Sequence, residues 1–108
     1  MRMWMIDPKK MCDRHLLGEH GEIHKFRHVF TKKHKIAGRF GQIEPAKMEE
    51  RHNELAQEML RRGMNHNSPY VQPDLSHLSK HDRFGTVNVS VSIADLCYRC
   101  TACRRLIT

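Results

Sequence analysis

One carboxylate, Glu22, stands at the edge of a dense run of basic residues. The next acid along the chain is Glu44, and the segment up to Arg39 carries six cations and three histidines. They are Lys25, Arg27, Lys32, Lys33, Lys35 and Arg39, with His24, His28 and His34. Neighbouring cations favour the ionised form of a carboxylate, which could stabilise a cationic sugar and move protons in a reaction. The simpler alternative is that Glu22 pairs with Lys25 along a helix.

The basic run is typical of a protein that binds a polyanion. The 108-residue chain has 19 Lys and Arg against 12 Asp and Glu, a formal charge of +7, and much of the excess lies here. A solvated surface would also explain the charge, but nucleic acid is the usual partner of so dense a patch. No membrane partner is expected, because the run lacks an apolar face and the chain has no apolar stretch of about 18 residues.

Three of the four cysteines form a C-x-x-C-x-x-C pattern: Cys97, Cys100 and Cys103. Charges interrupt the first eleven residues, so no signal peptide is predicted; we expect an intracellular protein without disulfides. On one helical face the three thiolates could bind zinc, with Cys12 or a histidine as fourth ligand. They also continue the apolar stripe of a predicted helix, where cysteine acts as a small hydrophobe. We favour the second interpretation and expect no metal or other cofactor.

Three histidines recur every four residues and therefore share one face of a predicted helix: His20, His24 and His28. Their spacing spreads them over two helical turns, which is unfavourable for binding a single metal ion. Because lysines and arginines flank them, we interpret this face as an exposed surface that meets phosphate rather than as a metal site.

The elements that position these residues are three main helices in one small all-α domain. The first is predicted from Met11 to about Ile36, with Asp13 as its N-cap. Two glycines in it, Gly18 and Gly21, are poor helix formers, so we expect a reason other than helix propensity for small residues there, such as close approach of a partner backbone.

The second predicted helix has Pro45 in its first turn and ends before Gly63. Its apolar face carries Met48, Leu55, Met59 and Leu60. A long irregular connection follows over residues 65–85, with a helical turn around Asp74 to Lys80. The third helix is predicted from about Ser90 to Arg105, with Ser92 and Asp95 in a capping arrangement.

Several blocks of the sequence resemble one known family. Cys12-Asp-Arg-His-Leu-Leu-Gly-Glu-His-Gly-Glu22 is similar to the first helix of the phage endonuclease V family, which are pyrimidine-dimer DNA glycosylases with AP-lyase activity. The similarity continues through Phe30-Thr-Lys-Lys-His34, and the stretch from Arg51 to Asn65 resembles the family's second helix and exit turn. The opening Met1-Arg-Met-Trp4 is also similar to many members. The blocks keep the family's order.

The resemblance implies a covalent mechanism. In this family the N-terminal α-amine attacks C1′ of the damaged nucleotide, displaces the base and forms a Schiff base, and β-elimination then nicks the strand. In an alignment without gaps, Met1 takes the position of the nucleophile and Glu22 that of the catalytic glutamate. This chemistry requires no metal or cofactor. The implied partner is double-stranded DNA with a pyrimidine dimer or an abasic nucleotide, and we expect a monomer.

The resemblance also implies DNA contacts. Arg2 matches an arginine near the lesion phosphate, and His15 matches a histidine near the same pocket. Arg14 replaces a glutamine, and Lys25 replaces an arginine, which keeps the charge but loses the bidentate fork. The predicted DNA-binding residues are Arg2, Arg14, His15, Lys25, His28, Lys32, Lys33 and Arg39.

The competing hypothesis is a protein of another class: a non-catalytic, basic DNA-binding module. In that case zinc on Cys97, Cys100 and Cys103 would stabilise the fold, and Glu22 would have a structural role. The two hypotheses differ in whether the protein forms a covalent adduct with damaged DNA.

Overall fold

The computed structural model describes residues 2–34, 40–66 and 68–108, and over these residues the secondary structure is entirely helical. Five α-helices follow one another: α1 (Asp13–Thr31), α2 (Met48–Arg61), α3 (Lys80–Arg83), α4 (Val89–Arg99) and α5 (Thr101–Ile107). One short 3₁₀ turn precedes α1, at Pro8–Lys10, and two lie between α1 and α2, at Phe40–Gln42 and Pro45–Lys47. The predicted all-α fold class is confirmed. None of the described helices is long and apolar enough to cross a membrane.

Helix α1 is shorter than predicted at both ends. Cys12, in extended conformation, is the N-cap, whereas Asp13, the predicted N-cap, is the first helical residue. The helix ends because Lys33 adopts a left-handed φ of 55°, which lets the following amide donate to the carbonyl of Val29 at 3.0 Å. The predicted extension towards Ile36 was therefore wrong, and Ile36 itself lies outside the described residues.

The two glycines of α1 do not mark a close approach of another backbone. A Cβ added at Gly18 or Gly21 would meet no atom within 4 Å, which contradicts the prediction. The helix packs through a different face, on which Leu16, Ile23 and Phe26 are fully buried. No other segment of the described chain therefore packs closely on α1 at Gly18 or Gly21.

Helix α2 packs against α1, and three of its four predicted apolar residues are buried. Met48, Leu55 and Met59 are buried, whereas Leu60 is 58% exposed, because one residue beyond Met59 the helix has turned away from the core. Gly63 follows the helix as predicted, with φ 81°, and the next amide donates to the carbonyl of Met59 at 2.9 Å. This is a Schellman-type end that glycine accommodates without strain.

The connection after α2 is irregular, as predicted, and it contains a turn and a short helix. Within the predicted stretch from Asp74 to Lys80, the amide of Leu78 donates to the carbonyl of Leu75 at 3.0 Å and closes a single turn. The short helix α3 begins at Lys80. Ser79 caps α3 by accepting a hydrogen bond from the amide of Asp82 at 3.1 Å. Earlier in the connection, Nε of Arg27 donates to the carbonyl of Val71 at 2.6 Å and holds this segment against α1.

The third predicted helix is in fact two helices, α4 and α5. Cys100 leaves the helical conformation at φ −135° and ψ 109°, and its Sγ caps α5 by accepting the amide three residues later at 3.4 Å. Ser92 and Asp95 do not cap the start of α4; Asn88 does, by accepting the amide of Val91. The two predicted caps make tertiary contacts instead.

The residues before α1, 2–12, form an N-terminal segment that joins distant parts of the chain. The amide of Met3 donates to the carbonyl of Gln42 at 2.8 Å. The hydroxyl of Ser92, which is fully buried on α4, donates to the carbonyl of Trp4 at 2.6 Å. The segment is therefore attached to the turn before α2 and to α4.

Arg62 attaches the same N-terminal segment to the end of α2. Its guanidinium donates to the carbonyls of Pro8 and Met11 at 3.0 and 2.7 Å. It also pairs with Asp13 at 2.9 Å and with Glu58 at 2.7 Å. One side chain thus fixes the entry to α1 relative to α2.

Candidate functional site

A pocket of about 250 Å³ lies where the N-terminal segment passes α1 and α4. Its lining combines acidic, basic and aromatic side chains: Arg2, Trp4, His15, Gly18, Glu19, Glu22 and Arg99. Three residues that the resemblance placed in or near the active site, Arg2, His15 and Glu22, therefore share one cavity. We call it the Glu22 pocket. Arg99 was not predicted, because nothing in the sequence shows that the end of α4 reaches α1.

Glu22 presents one free carboxylate oxygen. Its Oε1 lies 3.7 Å from Nζ of Lys25, too far for a hydrogen bond. Its Oε2 is buried and has no hydrogen-bond partner in the described part of the chain. Buried polar atoms are normally hydrogen-bonded, so an unpartnered carboxylate oxygen in a pocket indicates an acceptor for a ligand or water. Pairing with Lys25 alone does not account for this oxygen.

Arg2 is held in the wall of the Glu22 pocket by an acid and an aromatic ring. Its Nη1 donates to Oδ2 of Asp95 at 2.6 Å, and its guanidinium carbon lies 4.0 Å from the centre of the Trp4 ring. Asp95 also pairs with Nε of Arg99 at 3.2 Å, so one carboxylate orients two cations of the pocket. Nε of Arg2 is buried without a partner among the described residues, which leaves a donor for an anion.

A buried ion pair lies behind the pocket and connects α1 with α2. Both oxygens of Glu19 accept from Arg51, at 2.6 and 2.9 Å, and the two side chains are 0% and 3% exposed. Nη2 of Arg51 also lies 3.5 Å from the sulfur of Met11. A bidentate pair of this kind fixes the rotation of α1, and hence the direction in which Glu22 points.

The other predicted DNA-binding residues described by the structure lie along α1 and at its exit. All five have exposed side chains, which is compatible with contact to phosphate: Arg14, Lys25, His28, Lys32 and Lys33. Met1, the predicted nucleophile, and Arg39, the last predicted DNA contact, lie outside the described residues.

A first cluster of metal-ligand side chains joins the start of α1 to the start of α5. Cys12, His15, Cys100 and Cys103 each place one ligand atom within 4.8 Å of the others. Cys97 is not a member, because the chain bends at Cys100 and the three C-terminal cysteines do not share a helical face. The amide of Cys103 donates to the sulfur of Cys100 and lowers the pKa of that thiol.

A second cluster consists of histidines from three different segments. The Nε2 atoms of His20 on α1, His52 on α2 and His66 after α2 lie 2.9 to 3.4 Å from one another. Burial, and secondarily the charge of His52, lowers the pKa of His20 to about 4. The ring of Tyr70 stacks on His52, and His24 packs edge-on against both His20 and His52.

The interpretation of His20 and His24 as an exposed, phosphate-binding face was therefore wrong. His20 is 8% exposed and His24 is half-buried, because α2 covers this side of α1. His28, one turn further, is exposed and stays a predicted DNA contact.

A family model described as "Pyrimidine dimer DNA glycosylase" matches residues 1–72. The matched region contains α1, α2, Glu22 and the histidine cluster, and it ends before α4 and α5. No curated protein and no solved structure gives a match to the chain. A model that covers two thirds of the 108 residues shows the family, which is one of enzymes that act on DNA. The chain belongs to the pyrimidine dimer DNA glycosylase family.

Proposed function

We propose that the protein is a DNA glycosylase with AP-lyase activity that works through a Schiff base on the α-amine of Met1. Its substrate would be double-stranded DNA that contains a pyrimidine dimer or an abasic nucleotide. The observation that carries this proposal is the free Oε2 of Glu22 in a pocket that also holds Arg2. Family membership supports the glycosylase activity, and the resemblance supports the roles of Met1 and Glu22.

The N-terminal amine is a suitable nucleophile for this pocket. An α-amine has a pKa of about 7.7–8.0, so a useful fraction is neutral at physiological pH, unlike the amine of lysine. Met1 is bonded to Arg2, which lines the pocket, and consecutive α-carbons are about 3.8 Å apart. The proposal requires that this amine reach a sugar seated against Glu22, and its bond to a residue of the pocket wall supports that requirement.

The reaction would proceed in balanced steps. The amine's lone pair forms a bond to C1′ as the glycosidic bond breaks, and the base leaves with the electron pair of the glycosidic bond and gains the proton that the amine releases. The nitrogen lone pair then forms a C1′=N double bond as the C1′–O4′ bond breaks, O4′ gains a proton, and the opened sugar carries an iminium ion. Glu22, as a carboxylate, stabilises the cation and accepts the C2′ proton, the C3′–O bond breaks, and the 3′ phosphate leaves. Water finally hydrolyses the Schiff base and frees the amine.

The exposed cations of α1 would hold the duplex next to this pocket. C1′ is shielded within a regular stack, so the reaction requires bending of the duplex or extrusion of a nucleotide. Arg14, Lys25, Lys32, Lys33 and His28 would contact phosphates. Arg2, whose buried Nε is free, would bind the phosphate at the lesion. We expect the protein to act as a monomer and to need no metal for the bond-breaking steps.

Borohydride trapping tests the covalent step directly. The full chain, prepared with the α-amine of Met1 free, is mixed with abasic-site DNA or pyrimidine-dimer DNA in the presence of borohydride. We expect a stable protein–DNA adduct that peptide mapping assigns to the α-amine of Met1. No adduct with either substrate between pH 6 and pH 9 would refute the proposal and favour the non-catalytic DNA-binding module.

A conservative pair of variants separates chemistry from binding. Glu22→Gln should lower strand nicking by at least 100-fold and leave the Kd for DNA within about threefold, because it removes a proton acceptor and keeps the shape. Glu50→Gln, at an exposed position of α2, is the matched control and should nick at the unaltered rate. Equal loss of nicking and binding in Glu22→Gln would assign Glu22 a structural role instead.

A further inference from the structure

We propose that Cys12, His15, Cys100 and Cys103 bind one zinc ion that links the start of α1 to the start of α5. The inference does not depend on the proposed glycosylase reaction. Two of the four ligands, Cys12 and His15, lie inside the region that the family model matches, and the other two lie beyond it.

The four residues form two chelating pairs with the same local geometry. Cys12 and His15 form a C-x-x-H pair, and Cys100 and Cys103 form a C-x-x-C pair. In each pair the first residue is the extended N-cap of a helix and the second lies in the first turn of that helix. The bend at Cys100 therefore has a function: a continuous helix would not form this N-cap pair.

The distances between ligand atoms agree with a tetrahedral zinc site. Bond lengths of about 2.3 Å to sulfur and about 2.0 Å to nitrogen place two sulfurs about 3.8 Å apart and a sulfur and a nitrogen about 3.5 Å apart. The sulfurs of Cys12 and Cys100 are 3.8 Å apart. Nδ1 of His15 lies 3.2 Å from the sulfur of Cys12 and 3.7 Å from that of Cys103.

The surroundings also favour thiolate ligands. The amide of Cys12 donates to the sulfur of Cys103 at 3.2 Å, and the amide of Cys103 donates to the sulfur of Cys100 at 3.4 Å. Hydrogen bonds from backbone amides to ligand sulfurs orient the ligands and stabilise their negative charge. Cys100 and Cys103 are buried, so the site has no open position and is structural rather than catalytic.

Cobalt(II) substitution of the full chain tests this site. Thiolate-to-cobalt charge transfer gives a near-ultraviolet band that histidine ligands do not give, so one equivalent of cobalt should produce it. The band should fall by more than tenfold in the double variant Cys100→Ser/Cys103→Ser and stay unchanged in the control Cys97→Ser. A wild-type protein without the band, or a band lost only in Cys97→Ser, would overturn the proposal.

Counting reactive thiols in the wild-type protein keeps the test independent of how variants fold. In the zinc-loaded protein a thiol reagent should modify one cysteine rapidly, and mapping should identify it as Cys97. A chelator should then expose three further thiols. Equal reactivity of all four in the presence of zinc, or ready oxidation of Cys100 with Cys103 whether or not zinc is added, would contradict a zinc site.

The histidine cluster independently points to a second metal site. We infer that His20, His52 and His66 bind a divalent transition-metal ion through their Nε2 atoms. A tetrahedral ion with bonds of about 2.0 Å places such nitrogens about 3.3 Å apart, and the three distances are 2.9, 3.1 and 3.4 Å.

Hydrogen bonding alone explains this triangle poorly. Each ring nitrogen of a neutral imidazole either carries a hydrogen and donates or has a lone pair and accepts. When three such nitrogens face one another, at least one of the three contacts joins two donors or two acceptors. A cation at the centre satisfies all three lone pairs at once. His24, whose Nε2 is buried without a partner in the described part of the chain, lies against the same rings. Zinc or cobalt suits imidazole ligands of this kind.

Metal counting in the Cys100→Ser/Cys103→Ser background isolates the second site. That protein should still bind one equivalent of cobalt, with a visible band and no near-ultraviolet charge transfer. The further change His66→Gln should abolish binding, whereas His81→Gln, at a residue whose side chain is 95% exposed, should not. In the wild-type chain we expect two equivalents of zinc. If the wild-type chain binds only one equivalent of zinc, and the His66→Gln variant still binds that equivalent, the histidine site is refuted.

Discussion

Replacing Glu19 by glutamine removes one charge from the buried pair that connects α1 and α2. The glutamine can still occupy the same space and accept one hydrogen bond from Arg51. It cannot neutralise the guanidinium, whose side chain is only 3% exposed and whose other close contact is the sulfur of Met11. The variant therefore leaves a buried cation without its counter-ion, and the cost of that cation determines the effect on stability.

The expected loss in the free energy of unfolding is about 3–5 kcal/mol, the usual cost of removing one partner of a buried pair. With a urea m-value of about 1.5 kcal/mol per molar for a chain of this size, the unfolding midpoint should fall by about 2–3 M. Circular dichroism of the helices gives the midpoint, and an unchanged m-value would show that the same surface unfolds.

Two further variants make the measurement decisive. Glu50→Gln, at an exposed position of α2, should change stability by less than about 0.5 kcal/mol. The double variant Glu19→Leu/Arg51→Met should recover most of the loss, because apolar side chains of similar volume replace a buried pair at little cost. A loss below about 1 kcal/mol for Glu19→Gln would refute the reasoning, since it would mean that Arg51 reaches water when its partner is removed.

Other contacts lead to further predictions. Arg62→Ala should lower the free energy of unfolding by about 2–4 kcal/mol, because two carbonyls of the N-terminal segment lose a charged donor; a loss under 1 kcal/mol in urea would contradict this. Lys33→Gly should raise stability by about 1 kcal/mol, since the position has a φ of 55°; a lower midpoint would argue against it. Lys32→Ala should reduce the slope of log K against log salt for DNA binding by about 0.9, measured by fluorescence anisotropy, and an unchanged slope would remove Lys32 from the interface. The hydrogen bond from Arg61 lowers the pKa of Glu58 from 4.5 to about 2. The contribution of ionised Glu58 to the free energy of unfolding is therefore complete above pH 4.5 and is lost as the pH falls towards 2. In Glu58→Gln the free energy of unfolding should depend less steeply on pH over that window.

The features that could be predicted from the sequence depend on local patterns. The apolar residues of α2 and the glycine after it follow from helical periodicity and from the backbone geometry that Gly63 alone tolerates without strain. The shared pocket of Arg2, His15 and Glu22 follows from a resemblance carried by short contiguous blocks. Each of these inferences uses residues that are close together in the chain or matched as a group.

The features that could not be predicted depend on contacts between distant segments. A spacing of three residues fits both a continuous helical face and an N-cap followed by a first turn, so the cysteine pattern did not reveal the bend at Cys100. The burial of His20 depends on His52 and His66, which lie 32 and 46 residues away. The available sequence signals were a C-x-x-H pair that matches the C-x-x-C pair, and an unusual count of nine histidines.

The N-terminal segment has a consequence for the synthesis of the protein. Arg2 contacts a residue 93 positions later, Trp4 one 88 positions later, and Cys12 one 91 positions later. The ribosome makes the N-terminal wall of the Glu22 pocket 88 to 93 residues before the residues that hold this wall in place. Local helices such as α1 can form early, whereas pairings of such high sequence separation form late. The nascent chain therefore carries an incomplete pocket, and a protein truncated before α4 would lack the contacts that hold Arg2 beside Glu22.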